Sequence, residues 1–174
     1  MSRNSRPKKR FAAKEQFSER PFLRRKEPTM NVPEYVSVQE VRRICKDLGI
    51  SDWTKKPTSS VPMKEARKIL SEVQRDKTKI DLKEFCRGLE VELEHGMQFK
   101  DANVTNNHPL LTGLIVLAHF KESLDYYKLL EVAELEGDLI KAMAQKDPGK
   151  IRNYYKRLAK ARISLSQAEL VRLR

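Results

Sequence analysis

Two histidines in this chain each stand three residues from a glutamate: His95 follows Glu92, and His119 precedes Glu122. Three residues is close to one helical turn, so on a helix each pair shares a face. Imidazole nitrogen and carboxylate oxygen together suit a divalent cation such as Zn2+ or Fe2+. If the two helices pack antiparallel, Glu92, His95, His119 and Glu122 converge as half of a di-iron bundle site. Asp101, His108 and Asp125 are then candidates to hydrogen-bond the ligands from further out.

A full di-metal bundle, however, uses about six ligands and two Glu-x-x-His motifs, and one of these pairs runs in reverse. Glu90, Glu92 and Glu94 alternate, so at least one points to solvent. A histidine near a helix C-terminus is favoured by the helix dipole alone. The alternative is a buried polar network in which His95 and His119 hydrogen-bond to Glu or Asp and hold two helices in register. The chain has no phosphate-cradling glycine loop, no nucleophile elbow and no Cys–His pairing implied by position. The expectation is a non-enzyme without a cofactor, a divalent metal being the alternative.

Charge is distributed unevenly along the 174 residues. Residues 1–30 hold ten Lys/Arg against three acids, and residues 139–174 hold ten against two. Residues 82–138 reverse this, with five against eleven. Basic ends of this kind gain affinity for a polyanion by releasing its counterions, and they also suit an acidic protein surface. The contact candidates are Arg3, Lys8, Lys9, Arg10, Arg24 and Arg25 in the first segment. In the last they are Lys150, Arg152, Lys156, Arg157, Lys160 and Arg162.

The elements that must position these groups are helical throughout. Residues 1–36 read as an extended basic arm punctuated by Pro7, Pro21, Pro28 and Pro33, with Phe11, Phe17, Phe22 and Tyr35 as anchors. Ser37–Glu40 and Asp81–Glu84 are capping boxes. The first opens a helix with Val41, Cys45 and Leu48 on its apolar stripe and Gly49 at its stop. The second opens one with Phe85, Leu89 and Leu93, ending near Gly96. Between them a helix follows Ser60 with Met63, Ala66, Ile69, Leu70 and Val73 on one face. Met97–Asn107 is an irregular Asn-rich connection. Pro109 starts a helix with almost no polar face, predicted to be the most buried. Ser123 or Asp125 starts another, running through Leu135 to Met143. Asp147 caps a basic helix with Tyr154 and Leu158, and Ser166–Glu169 caps a short separate terminal helix. In Tyr126-Tyr127 and Tyr154-Tyr155, one ring of each pair is expected in the core and the other on the surface. Cys45 and Cys86 read as buried thiols. The whole is an all-α chain: a basic arm over 1–36, a helical domain over 37–138 and basic C-terminal helices over 139–174.

The segments VRRICKDLGISDW (41–53), IDLKEFCRGLEVELEHG (80–96) and NVTNNHPLLTGLIVLAHFKESLDYYKLLE (103–131) resemble an uncharacterised helical domain family, domain of unknown function 5661. The resemblance covers about residues 37–136. It implies a distribution over bacteria, phages and large DNA viruses, but carries no activity. Residues 54–79 look like an insertion, Leu114 stands where the family often has a lysine, and Ser123-Leu124 replaces a Phe-Pro.

No apolar run reaches transmembrane length and the N-terminal stretch lacks a secretory signal, so an intracellular or virion-internal location is expected. The function expected is that of a structural component of a large assembly, a virion or nucleoprotein particle. It would dock on other proteins of the assembly through its helical domain and anchor its basic ends on nucleic acid or acidic protein surfaces. The alternatives are a metal-binding helical domain with an enzymatic role, and a free nucleic-acid-binding module.

Overall fold

The structure is a computed structural model and describes residues 36–173. Among these the chain forms six α-helices and no strand, in agreement with the all-α reading. They are α1 (Val38–Leu48), α2 (Met63–Val73), α3 (Leu82–Gln98), α4 (Pro109–Glu122), α5 (Tyr126–Ala144) and α6 (Pro148–Arg172). Short 3-10 turns lie at Trp53–Lys55 and Lys100–Ala102.

The caps are where short-range chemistry puts them. The Ser37 side chain accepts from Glu40 N, Asp81 accepts from Lys83 N and Glu84 N, and Gly49 ends α1 at φ 58°. That left-handed conformation carries a steric penalty for other residues that glycine escapes. The return half of each capping box is not made. The Glu40 carboxylate instead takes the Arg43 guanidinium, and Glu84 pairs with Lys128 at 2.6 Å.

The main core is built from α1 to α4 and the first turn of α5. Val41, Cys45, Trp53, Ala66, Ile69, Phe85, Leu89, Leu93, Val116 and Tyr127 are all buried in it. Residues 54–79 supply α2, which is integral to this core. A Cβ added at Gly113 of α4 would lie 2.8 Å from Ile69 Cγ2, so α2 and α4 meet almost backbone to side chain. Gly88 plays the same part in α3, where a Cβ would lie 2.6 Å from both Tyr127 and Val116. α4 departs from expectation. Thr112, Gly113, Val116 and Phe120 are buried, but Leu114 is 48% exposed and Ala118 is exposed, so an apolar sequence does not make this helix interior all round.

α5 and α6 form an antiparallel hairpin with a second, narrower core. Its residues recur at three- and four-residue steps: Val132, Leu135 and Leu139 on α5, and Tyr154, Leu158 and Ala161 on α6. That spacing is the heptad seam of a coiled coil. Glu136–Arg162 at 2.5 Å and Asp125–Arg172 at 3.0 Å tie the two helices along their length. The expected break before Ser166 is absent. The seam continues at Leu165 and Ala168, which are half-buried, and α6 runs unbroken to Arg172.

Candidate functional site

α3 and α4 pack antiparallel: Gly88 lies against Val116, while Gly96, further along α3, lies against Asn107, before the start of α4. This brings Glu92 to His119, with Oε1 3.6 Å from Nε2. Glu122 Oε2 stands 3.8 Å from His119 Nδ1. That Nδ1 atom is buried and makes no hydrogen bond to a described residue. The imidazole is stacked on Tyr126, with centroids 3.9 Å apart and planes 10° apart, and meets Tyr127 edge-on. Glu92 is held by Tyr127, whose hydroxyl donates to Oε1 at 2.9 Å. Burial, then the Glu92 charge and hydrogen bond, push the Tyr127 phenol far above its ordinary range.

His95 goes elsewhere. Its Nε2 lies 3.8 Å from Glu134 Oε1 on α5, which runs parallel to α3 and is anchored by Glu84–Lys128 and Arg87–Glu131. Of the four residues predicted to converge, three thus meet pairwise around His119 and the fourth faces a different carboxylate. Among the described residues no group of three or more His, Cys, Asp and Glu is arranged to hold a metal ion. Glu92 and His95 line a depression of about 330 Å3 with Phe99, Asn103, Thr112 and Ile115.

Of the three groups expected further out, His108 and Asp125 have other work. His108 caps α4, its Nδ1 accepting from Leu111 N at 3.3 Å, and burial lowers its pKa. Asp125, also buried, receives Arg172. The Asn-rich connection is a folded clamp. Asn103 Nδ2 donates to Gly96 O at 3.0 Å and to Asn107 Oδ1 at 2.9 Å, and Asn106 Nδ2 donates to Val36 O at 2.5 Å. Asn106 and Asn107 adopt positive φ, which asparagine tolerates better than most residues. A Cβ on Gly96 would fall 2.1 Å from Asn107 Oδ1, so glycine is required beneath the clamp.

Sequence spacing gave no sign of two carboxylates that tie helices to loops, Glu65 buried and Glu90 half-buried. Glu65 accepts from Trp53 Nε1 at 3.0 Å, Ser51 N at 2.9 Å and Ser51 Oγ at 3.2 Å. Burial raises its pKa, but these hydrogen bonds outweigh burial and the net shift is downward. Glu90 accepts from Val61 N at 2.9 Å and fixes the approach to α2. Ser51, Trp53 and Val61 all lie outside the α-helices, so α-helical periodicity could not find them.

Of the basic candidates, Arg3, Lys8, Lys9, Arg10, Arg24 and Arg25 lie outside the described residues. The α6 candidates divide by partner. Lys150 lies near Gln145 and Asp147, Arg162 pairs with Glu136, and Arg157 packs over Tyr154. Arg152, Lys156 and Lys160 are exposed at four-residue steps along one side of the helix, and none has an acidic partner among the described residues. Tyr155 is exposed beside them, while Tyr154 is half-buried, as Tyr126 is beside the buried Tyr127.

The fold and site define an all-α domain whose most specific residues lock helix to helix and helix to loop, extended by a coiled-coil-like hairpin. Residues 41–136, more than half of the chain, match the family described as protein of unknown function (DUF5661), and the chain belongs to that family. No curated protein and no solved structure matches it. The match ends inside α5, so α6 with its cations lies beyond it. Among the described residues no helix is long and apolar enough to cross a membrane.

Proposed function

We propose that this protein is a non-enzymatic structural component of a large assembly, a virion or nucleoprotein particle. It anchors basic surfaces on a polyanion while the helical domain docks on neighbouring proteins. The observation that carries this reading is the row Arg152, Lys156 and Lys160, spread over about 12 Å of α6 and facing solvent without acidic partners among the described residues. Cations held this way on a rigid helix contact phosphates or acidic side chains by releasing counterions, without specifying sequence. The motif residues support the same reading from the other side. Gly88, Gly96, Asn103, Asn107, His108 and Gly113 are used in building the domain.

The test is gradient sedimentation of a native-source lysate at low salt, following this chain and its Arg152→Glu/Lys156→Glu/Lys160→Glu variant. The wild type is expected to migrate with a large particle and the variant at the size of a free small protein. Co-migration of the variant with the particle would sink the assignment to α6.

A further inference from the structure

The residues around the asparagine clamp form a second concavity, of about 460 Å3. It is lined by Arg42 of α1, Lys56 after the first 3-10 turn and Lys100 of the second, together with Asn103, Asn106 and Asn107. No carboxylate lines it, whereas Glu92 lines the depression beside His95. The three cations come from three different segments, so no local helical pattern accounts for their lining one hollow.

Their donors are incompletely used. Lys100 has no acidic partner among the described residues. Arg42 Nε donates to Thr54 Oγ1 at 3.2 Å and lies 3.8 Å from Asp52, and the ends of its guanidinium are unengaged by described residues. Lys56 Nζ donates to Ser60 O at 2.6 Å and sits 5.9 Å from the centre of the Trp53 ring. The Asn107 carboxamide nitrogen donates to no described residue, while its oxygen is fixed by Asn103. Three cationic side chains lining one hollow favour an anion, which on entering gains charge-assisted hydrogen bonds. The volume falls in the range of about 300–1,000 Å3 typical of small-ligand sites.

We propose that this hollow is a phosphate-binding site, with Arg42, Lys56 and Lys100 holding the anion, Asn107 donating to it and the clamp keeping the walls in place. The phosphate belongs either to a free mononucleotide or to the backbone of a single-stranded nucleic acid. The site is separate from the α6 surface and stands or falls independently of it.

Trp53, the single tryptophan, lines the hollow, so its fluorescence reports entry of an anion that draws Lys56 from the ring. The full chain is titrated at low ionic strength with inorganic phosphate, adenosine 5′-monophosphate, adenosine and a short single-stranded oligonucleotide. Saturable changes are expected with the phosphate-bearing probes and none with adenosine. Lys100→Glu is expected to weaken binding at least tenfold, and Lys64→Glu, on the exposed side of α2, to leave it unchanged. The monophosphate binding more tightly than inorganic phosphate points to the mononucleotide. The oligonucleotide alone exceeding inorganic phosphate, with that gain lost in Lys100→Glu, points to the polymer backbone. No saturable change with any phosphate probe, or equal binding by Lys100→Glu and wild type, overturns the site. Because Lys100 is exposed and makes no side-chain bond within the described fold, an unchanged unfolding midpoint separates lost binding from lost structure. Loss of this binding with sedimentation intact, or the reverse, tells failure of this site from failure of the α6 reading.

Discussion

The Tyr127 hydroxyl donates to Glu92 Oε1 across 2.9 Å and fastens the first turn of α5 to the middle of α3. The ring fills the space that Gly88 leaves open and abuts Phe120 at 5.7 Å between centroids. The phenylalanine variant keeps that packing and removes only the donor, leaving a largely buried carboxylate oxygen short of one hydrogen bond. Tyr127→Phe is therefore expected to cost about 1–3 kcal/mol, since hydrogen bonds to charged groups lie in the upper part of the usual range. Urea unfolding followed by Trp53 fluorescence measures it, and an unchanged midpoint would show that the bond contributes nothing.

His108 makes stability depend on pH near neutrality. Burial depresses its folded-state pKa below the ordinary 6.5, and its Nδ1 must stay unprotonated to accept from Leu111 N. The unfolded chain therefore takes up a proton at a higher pH than the folded one. This contribution is complete above 6.5 and is lost as pH falls from there through the folded pKa. His108→Asn keeps an N-cap acceptor and has no titration. Its unfolding free energy should be flatter than wild type between about pH 5 and 6.5. Equal slopes for the two proteins would refute this.

Two glycine substitutions should act in opposite directions. At Gly96 a methyl would lie 2.1 Å from Asn107 Oδ1 and 3.0 Å from Asn103 Nδ2, so the clamp must move. Gly96→Ala is expected to destabilise by about 1–3 kcal/mol, the usual cost of overpacking. Gly137 lies within α5 with nothing within 4 Å of an added Cβ. Gly137→Ala should stabilise by about 0.5–1 kcal/mol through reduced backbone freedom in the unfolded chain. Thermal melts of the two variants beside wild type check both signs.

What the sequence made legible is mainly local. The Ser37, Asp81 and Asp147 caps, the Gly49 stop and the Phe85–Leu89–Leu93 stripe each depend on residues within a turn or two, and all are found. The nearness of Glu92 and His119 followed from antiparallel packing. The orientation of His95 toward Glu134 did not, because it depends on the rotation of α3 against α5, which a three-residue spacing does not encode. α4 misled for a related reason. Leu114 and Ala118 carry no polar mark, so nothing in their types says that this side of the helix faces solvent. At Ser166 a good local cap signal was overridden by the seam through Leu158, Ala161, Leu165 and Ala168, a longer-range pattern that the heptad period would have disclosed. The meeting of Arg42, Lys56 and Lys100 rests wholly on tertiary structure.

The division into two cores predicts that the hairpin opens by itself. Leu158 is buried against Leu135, Val132 and Leu139, and none of these belongs to the cluster around Trp53. Removing its side chain to the β-carbon should cost about 2–5 kcal/mol wherever the cavity is felt. In Leu158→Ala that cost falls on a narrow seam closed at its far end by Arg172 on Asp125. Local opening free energies differ between packed units of one chain, and the smaller unit yields first. Hydrogen exchange read by mass spectrometry should therefore show faster exchange through α6 and the second half of α5, with α1 to α4 protected as in wild type. The Trp53 fluorescence transition should move little. If exchange rises equally in α3 and α6, the two clusters unfold as one unit and the hairpin is not separable from the domain.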